Sequence, residues 1–545
     1  MVRLLAMVCL TGLIGPSLAV AQAARPTPPD LLLTGGKVFT ADSTHPWAEA
    51  LAIRGERIVA VGTTAEMRRL AGRATHERAL GGRVVIPGIN DSHDHVGDVP
   101  RGIEFRTSTA PTPDPTLAQV LDSVRAIAAR TPAGTWIKTV IGLRILDDTA
   151  ARRETLDRAG AGHPVMLWAW WGHGLVLNTA ALRDLGIAET AADPLGGWYE
   201  HDAAGRLTGR LDEYAEWGAI RRFYSTVPER EVVAGLKAFA DSSLLMGVTT
   251  VQDMAGNMEP GLTIHAFRDA RLPIRVRIIR WSIPNAAGRN EAEWDTVAQH
   301  PGARVVVSGR KWVLDGTPIE RNALRRAAYA APGGPPGGHG RLNFPLDTVR
   351  AMLADALRPG AVQLHLHVVG DSTPGLVLSL MESLAPDSVW RARRVRFEHA
   401  SGLRGSYVER ARRLGIVIAQ PHASAPMHTW RSAGIPLAYG SDGLRNPFYN
   451  LMLAVTGQRG DSTEALTREE AVSMYTRGSA YAEFTEREKG TLAPGMLADL
   501  AVLSQDIFTV PAQALPATTS VLTIVGGRIV RDALGTSSSR SRGSH

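Results

Sequence analysis

Cysteine is all but missing: among 545 residues there is one, Cys9, and it lies inside the first apolar stretch of the chain. A chain cleaved beyond that stretch has no disulfide, no thiol nucleophile and no Cys-ligated zinc. Any metal must then be held by histidine, carboxylate or something rarer. Long hydrophobic runs are missing as well. The most apolar one, Leu4–Ile14, is too short to span a bilayer comfortably. There is no Gly-rich phosphate cradle, no Ser-x-Gly nucleophile elbow, no zinc-finger spacing and no heptad repeat. Basic residues exceed acidic ones, 60 against 53, for a net charge of +7 and a pI near 9.7. They are scattered rather than clustered, which argues for a basic surface and against a nucleic-acid partner.

What is present describes a globular protein. The chain is 44% hydrophobic and 21% charged, ample for a large core. Residues 1–23 read as an export signal. Arg3 precedes the apolar run, and Ala21-Gln22-Ala23 offers a small-x-small cleavage site. The expected location is the periplasm or beyond, with no stable membrane insertion once the signal is removed; an anchoring helix is the alternative. The Pro-rich stretch 26–30 reads as a tether. Strand-like segments broken by Gly-Gly and Gly-Glu turns follow it, in LLLTGGKVFTAD and AEALAIRGERIVAVGT. They recur near the other end, in ADLAVLSQDIF (498–508) and VLTIVGGRIVRD (521–532). This texture at both ends predicts one small β-domain, residues 28–88 with 488–533. Residues 534–545 are a polar tail expected to be disordered.

The middle, 89–487, alternates strand-like and helix-like segments. Strands are expected over 164–170, 247–253, 273–279, 304–316, 362–371, 395–400, 415–421 and 436–443. Amphipathic runs lie between them, such as Glu229–Met246, where Val232, Leu236, Phe239 and Leu244 fall near helical spacing. Thr467 followed by Glu470 reads as a capping box. Counting the strand that leads into His93, there are about eight or nine β–α units, the number for a (β/α)8 barrel. A doubly wound open sheet is the alternative. Residues 197–213 read as a hairpin turning at 203–206, within an insertion around 190–215 that caps one mouth of the barrel. Residues 331–340, APGGPPGGHG, read as a loop.

The stretch VVIPGINDSHDHV (84–96) is the first to carry chemistry. A short strand over Val84–Ile86 is expected to lead into Asp91, His93, Asp94 and His95. His93 and His95 stand two apart, so in extended backbone both imidazoles project from one side. An isolated H-x-H is a polar loop at least as often as a pair of ligands. In (β/α)8 barrels, however, functional residues sit at the C-terminal strand ends. The polar residues ending the apolar runs here are His93, His95, Lys311, His367, His399 and Asp442. Buried imidazoles and carboxylates are costly unless paired or bound to metal. Four histidines and an aspartate on separate strands therefore point to a metal site.

PGINDSHDH, the Lys of GRKWVLDG, the strand ends HVVGD, FEHA and GSDG, and the closing KGTLAPGMLADLAVL resemble the amidohydrolase superfamily. They are most similar to its family 3 branch, which includes N-substituted formamide deformylases. The likeness spans nearly the whole chain after the leader and keeps motif order. It implies a (β/α)8 barrel with a small β-sandwich built from both termini, acting on a non-peptide C–N bond of a small molecule, an amide or N-acyl group. It implies His93 and His95 on one divalent ion and His367 and His399 on a second. Asp442 would touch the first ion and carry protons, and a carboxylated Lys311 would bridge both. Two zinc ions suit imidazole and oxygen donors; manganese, nickel, cobalt or iron are alternatives. A plain Lys311 salt-bridged to Asp315, with a mononuclear site, is the alternative to the carbamate. His173, in WGHGLVLNTAAL, matches a segment that faces substrate, and His422 ends the strand before Asp442. Trp171 could wall an apolar pocket, with strand alternation sending Trp168 and Trp170 to the opposite side. Asp94 departs from the apolar residue expected between the histidines. Ester, lactone or phosphotriester hydrolysis on the same site, or a silent binding protein, are the competing functions. A homodimer is the default expectation for assembly.

Overall fold

The computed structural model describes residues 27–535 except 98, 100, 108–113, 331–337, 422–424 and 458–460. The leader with Cys9, His422, most of the 331–340 loop and residues 536–545 lie outside the described residues. Among the described residues no helix is long and apolar enough to cross a membrane.

Two sheets pack face to face at one end. Strands Leu31–Thr34, Ala50–Arg54, Arg57–Gly62 and His76–Ala79 form the first. The second interleaves the two chain ends, with Val84–Pro87 pairing antiparallel to Leu500–Leu503, Val85 opposite Val502. Leu33, Val38, Leu51, Ile53, Val85, Leu500, Val502, Leu522 and Ile524 share the apolar core between the sheets. Alternation in each strand sends these side chains inward. Gly526 and Gly527, at φ of 55° and 70°, make the turn between Ser520–Val525 and Arg528–Asp532. Positive φ at both central residues is what a tight hairpin turn of matching twist requires.

Eight parallel strands form the barrel: β1 (Ile89–Asp94), β2 (Val248–Ala255), β3 (Arg275–Trp281), β4 (Val305–Val313), β5 (Leu364–Val368), β6 (Arg396–His399), β7 (Val417–Gln420) and β8 (Leu437–Tyr439). Neighbours follow chain order, which excludes a doubly wound sheet. The ring closes where Ser441 and Asp442 donate their backbone N–H groups to His93 O, at 3.1 and 2.8 Å. The helix Glu229–Leu245 buries Val232, Leu236 and Leu244, and Thr467 with Glu470 forms a capping box, both as the pattern predicts.

Two expectations change. The apolar run Val84–Ile86 does not belong to the strand bearing His93. It ends in the sandwich, and β1 begins after Gly88, where a Cβ would stand 2.1 Å from Thr249 Oγ1. Residues 164–170 do not enter the barrel either. Their strand, Val165–Ala169, joins a separate six-stranded sheet with Ile103–Phe105, Ile137–Ile141, Leu175–Leu177, Gly197–His201 and Leu207–Glu213. The predicted hairpin is the edge of this sheet, and the whole unit is inserted between β1 and β2. It has its own core, built on Val120, Val124, Ile137, Ile141, Leu156, Val165 and Leu167. A short, fully apolar run is buried in either sheet, so its local pattern does not say which partner strands it takes.

Candidate metal centre

The C-terminal ends of β1, β4, β5, β6 and β8 converge. The Nε2 atoms of His93 and His95 lie 3.7 and 3.5 Å from Asp442 Oδ1, and that of His399 lies 3.8 Å from Asp442 Oδ2. The His367 ring is centred 4.5 Å from that of His399, and Lys311 Nζ is 3.4 Å from His93 Nε2. All six residues singled out at strand ends therefore meet at one mouth. Two donors about 2.1 Å from a zinc ion at a tetrahedral angle stand about 3.4 Å apart. The carboxylate–imidazole separations match that spacing and are too long for strong hydrogen bonds. Among the described residues His367 Nε2 is buried with no hydrogen-bond partner, a costly orphan unless an ion accepts its lone pair. The donors therefore fit a divalent cation. The backbone bends to achieve this: His399, Ala400 and Asp442 have φ of 67°, 54° and 44°. Left-handed non-glycine residues cluster at sites where function requires the strain.

Other side chains orient the donors. Glu398 accepts from His93 Nδ1 at 2.7 Å and from His365 Nδ1 at 3.0 Å, while Arg396 donates to it at 3.1 Å. Burial would raise the Glu398 carboxyl, but Arg396 and the two imidazoles hold it well below the usual range. His95 Nδ1 faces Met254 O at 3.1 Å. The contacts of His93 and His95 occupy Nδ1 and leave Nε2 turned to the centre. Burial and the Lys311 charge push His95 well down, and burial and His399 do the same to His367, so both offer lone pairs. Burial lowers Lys311 to about 8, against the pull of Asp442 and Glu398. Lys311 and Asp315 do not form the alternative ion pair. Asp315 instead accepts from the backbone of Leu324, Val369 and Gly370 and from Thr373 Oγ1. Asp94 ties β1 to the loop after β8, accepting from His95 N at 2.9 Å, Gly443 N at 3.2 Å and Arg445 Nε at 2.9 Å.

The inserted sheet reaches the same mouth. His173 lies 5.3 Å from His367, ring to ring, and its Nδ1 is 3.0 Å from Glu213 Oε1 and 4.0 Å from Glu320 Oε1. Burial alone would lower His173; Glu213, Glu320 and Glu216 together push it up to about 10. Trp171 donates its indole N–H to Glu320 at 2.8 Å, and Trp168 donates to Glu216 at 2.7 Å. The strand ends at Ala169, so Trp170 and Trp171 stand in a turn and the alternation argument does not reach them. Glu398, Glu213 and Glu320 escaped the sequence reading. Glu398 was visible inside FEHA, next to a named histidine, but strict alternation would send it to the other face. The positive φ of His399 breaks that rule. Glu213 ends the predicted hairpin, and nothing local distinguishes Glu320.

The amidohydrolase family model matches residues 77–531, and a bacterial imidazolonepropionase-like composite domain matches residues 50–74. Protein LONG AFTER FAR-RED 3 of Arabidopsis thaliana is 27% identical over 92% of each chain. N-substituted formamide deformylase of Arthrobacter pascens is 25% identical, over 88% of this chain and 94% of the other. Among solved structures, an uncharacterized metal-dependent hydrolase from Pyrococcus furiosus superposes with a TM-score of 0.65 at 21% identity. That match covers 88% of this chain and 100% of the other.

Proposed function

The chain belongs to the amidohydrolase family, and from that premise we propose that this metal-dependent hydrolase cleaves an N-acyl or N-formyl bond of a small-molecule amide. The observation that carries the proposal is the placement of Asp442. Its carboxylate lies within 3.8 Å of three imidazole nitrogens from β1 and β6. A binding protein has no need of a proton acceptor there. The relative named as an N-substituted formamide deformylase supports the choice of substrate class.

His93, His95 and Asp442 would hold one ion and His367 and His399 a second, with zinc the first choice for nitrogen and oxygen donors. Ions held there would polarise a carbonyl and lower the pKa of water to about 7. Asp442 accepts the proton of the attacking water and passes it to the departing nitrogen, since an unprotonated amine is a poor leaving group. His93 is kept in one tautomer by Glu398 throughout. Lys311 has its amine deprotonated far more readily than a surface lysine. A carbamate formed there from the free amine and carbon dioxide, with loss of one proton, would supply two oxygen donors sharing one negative charge. The leader-like first residues support export, which N-terminal sequencing of chain recovered outside bacterial cells would check.

The test is a panel of formanilides and acetanilides against the matching aryl esters, on protein whose metal content per chain has been counted. A kcat/KM ratio favouring the amides is expected. Turnover of the esters alone would replace amide cleavage by ester cleavage.

A further inference from the structure

We propose that His173, Glu213 and Glu320 form a separate cation site, distinct from the strand-end donors, that takes a divalent first-row metal and ties the inserted sheet to the barrel. The inference goes beyond the hydrolytic reading and does not need it.

The three residues come from three places. His173 stands in the turn between Val165–Ala169 and Leu175–Leu177, Glu213 ends the strand Leu207–Glu213, and Glu320 lies in the loop after β4. One ligand atom from each lies within 4.8 Å of the other two. His173 Nδ1 is 3.0 Å from Glu213 Oε1 and 4.0 Å from Glu320 Oε1. With bonds of about 2.1 Å, those separations subtend about 90° and about 145° at a single ion, angles that leave room for water as a further ligand. A hydrogen bond accounts for the shorter distance. It leaves the second carboxylate beside the same nitrogen unexplained.

The surroundings are built around those oxygens. Glu213 Oε2 accepts from Asn343 Nδ2 at 2.9 Å and Glu320 Oε2 from Trp171 Nε1 at 2.8 Å, which leaves the two Oε1 atoms on the His173 side. Glu320 Oε1 also accepts from Thr317 N and keeps a second lone pair. Glycine at 316 lets the two acids approach: a Cβ there would lie 2.5 Å from Glu320 Oε1 and 2.7 Å from Glu213 Oε1. Glu213 takes a φ of 55°, a strained value of the kind found at functional sites. The charge is out of balance as well. Glu213 is 1% exposed, the Glu320 side chain 4%, and the neighbouring Glu216 is fully buried. Among the described residues His173 is the only basic side chain paired with any of the three. Buried carboxylates are costly unless paired or bound to metal, and one imidazole cannot balance three. A divalent cation balances two, and it displaces any proton from the imidazole nitrogen as it binds. Imidazole and carboxylate donors together suit zinc or manganese.

The experiment uses the full-length wild-type chain and E213Q/E320Q, which keeps the side-chain shapes and removes the anionic donors. Zinc per chain is counted after dialysis against micromolar free zinc, and crystals grown at the same zinc level give anomalous maps at the zinc edge. The wild type is expected to hold one equivalent more than E213Q/E320Q, with an anomalous peak about 2.1 Å from His173 Nδ1. H93A/H399A should keep that peak while losing zinc at the strand ends. Equal zinc counts in the wild type and a normally melting E213Q/E320Q would overturn the proposal. A wild-type map without a peak at the cluster would do the same. A peak that needs millimolar zinc marks an adventitious ion only and also overturns it. If E213Q/E320Q melts early, the wild-type map decides. A peak at the cluster with none at the strand ends sinks the hydrolytic reading and leaves this site standing.

Discussion

At the level of single residues, the candidate donors are oriented by groups that stand behind them. Glu398 shows this most clearly. It meets His93, His365 and Arg396 at once and holds the His93 Nε2 lone pair toward the centre. Glu398→Gln retains the shape but can donate from its amide, which frees His93 to flip tautomer. Metal affinity is expected to fall about 10- to 100-fold, read by competition with a chromogenic chelator. Lys311→Ala tests a different link, since it removes the only amine in the centre among the described residues. Activity should drop by at least about 100-fold with loss of metal. Acetate or propionate should restore part of both if a carbamate fills that position. Restoration at no concentration would favour an unmodified lysine. His93, His95 and the strand-end residues were legible because their type and spacing are local properties. Glu398 was not, because its role depends on a positive φ one residue later. Glu320 was not, because only docking of the insertion brings it to His173.

The elements divide the work. The barrel strands supply donors, while the inserted sheet supplies His173 and Trp171 and has a core of its own. Leu167, fully buried in Val165–Ala169, belongs to that core. Leu167→Ala should therefore cost about 2–5 kcal/mol locally. KM should rise and kcat fall as His173 loosens, while the strand ends keep their metal. A variant whose strand ends lose metal in step with stability would show that the sheet and the barrel are a single cooperative unit. The strand over 164–170 also marks where sequence reading stops. Its apolar run announces burial but not the sheet in which it is buried. Gly88 makes the same point, dividing what reads as one continuous run into a sandwich strand and a barrel strand.

Across the whole molecule, the donors tie together segments from opposite ends of the chain. β1 and β8 meet where Asp442 N bonds His93 O at 2.8 Å, and the adjoining sandwich is woven from both chain ends. An ion gripping residues on β1, β5, β6 and β8 binds the folded chain and not the unfolded one, so it stabilises by mass action. At free metal about 100-fold above Kd the gain is about 2.7 kcal/mol. Stripping with a chelator should lower the melting temperature, and adding zinc back should restore it. A melting curve indifferent to chelation would mean that the strand ends hold each other without an ion.

Composition, periodicity and the order of motifs determined by themselves that the chain would alternate strands and helices, build a β-domain from both ends and place six polar residues at strand ends. Those are short-range properties, written in side-chain type and in spacings of two to four residues. Closure of the ring, assignment of Val165–Ala169 to a second sheet, and the meeting of Glu213 and Glu320 on one edge of His173 were decided only by the tertiary structure. Each depends on groups far apart in sequence approaching within a few ångströms, and local propensity contains no term for that distance.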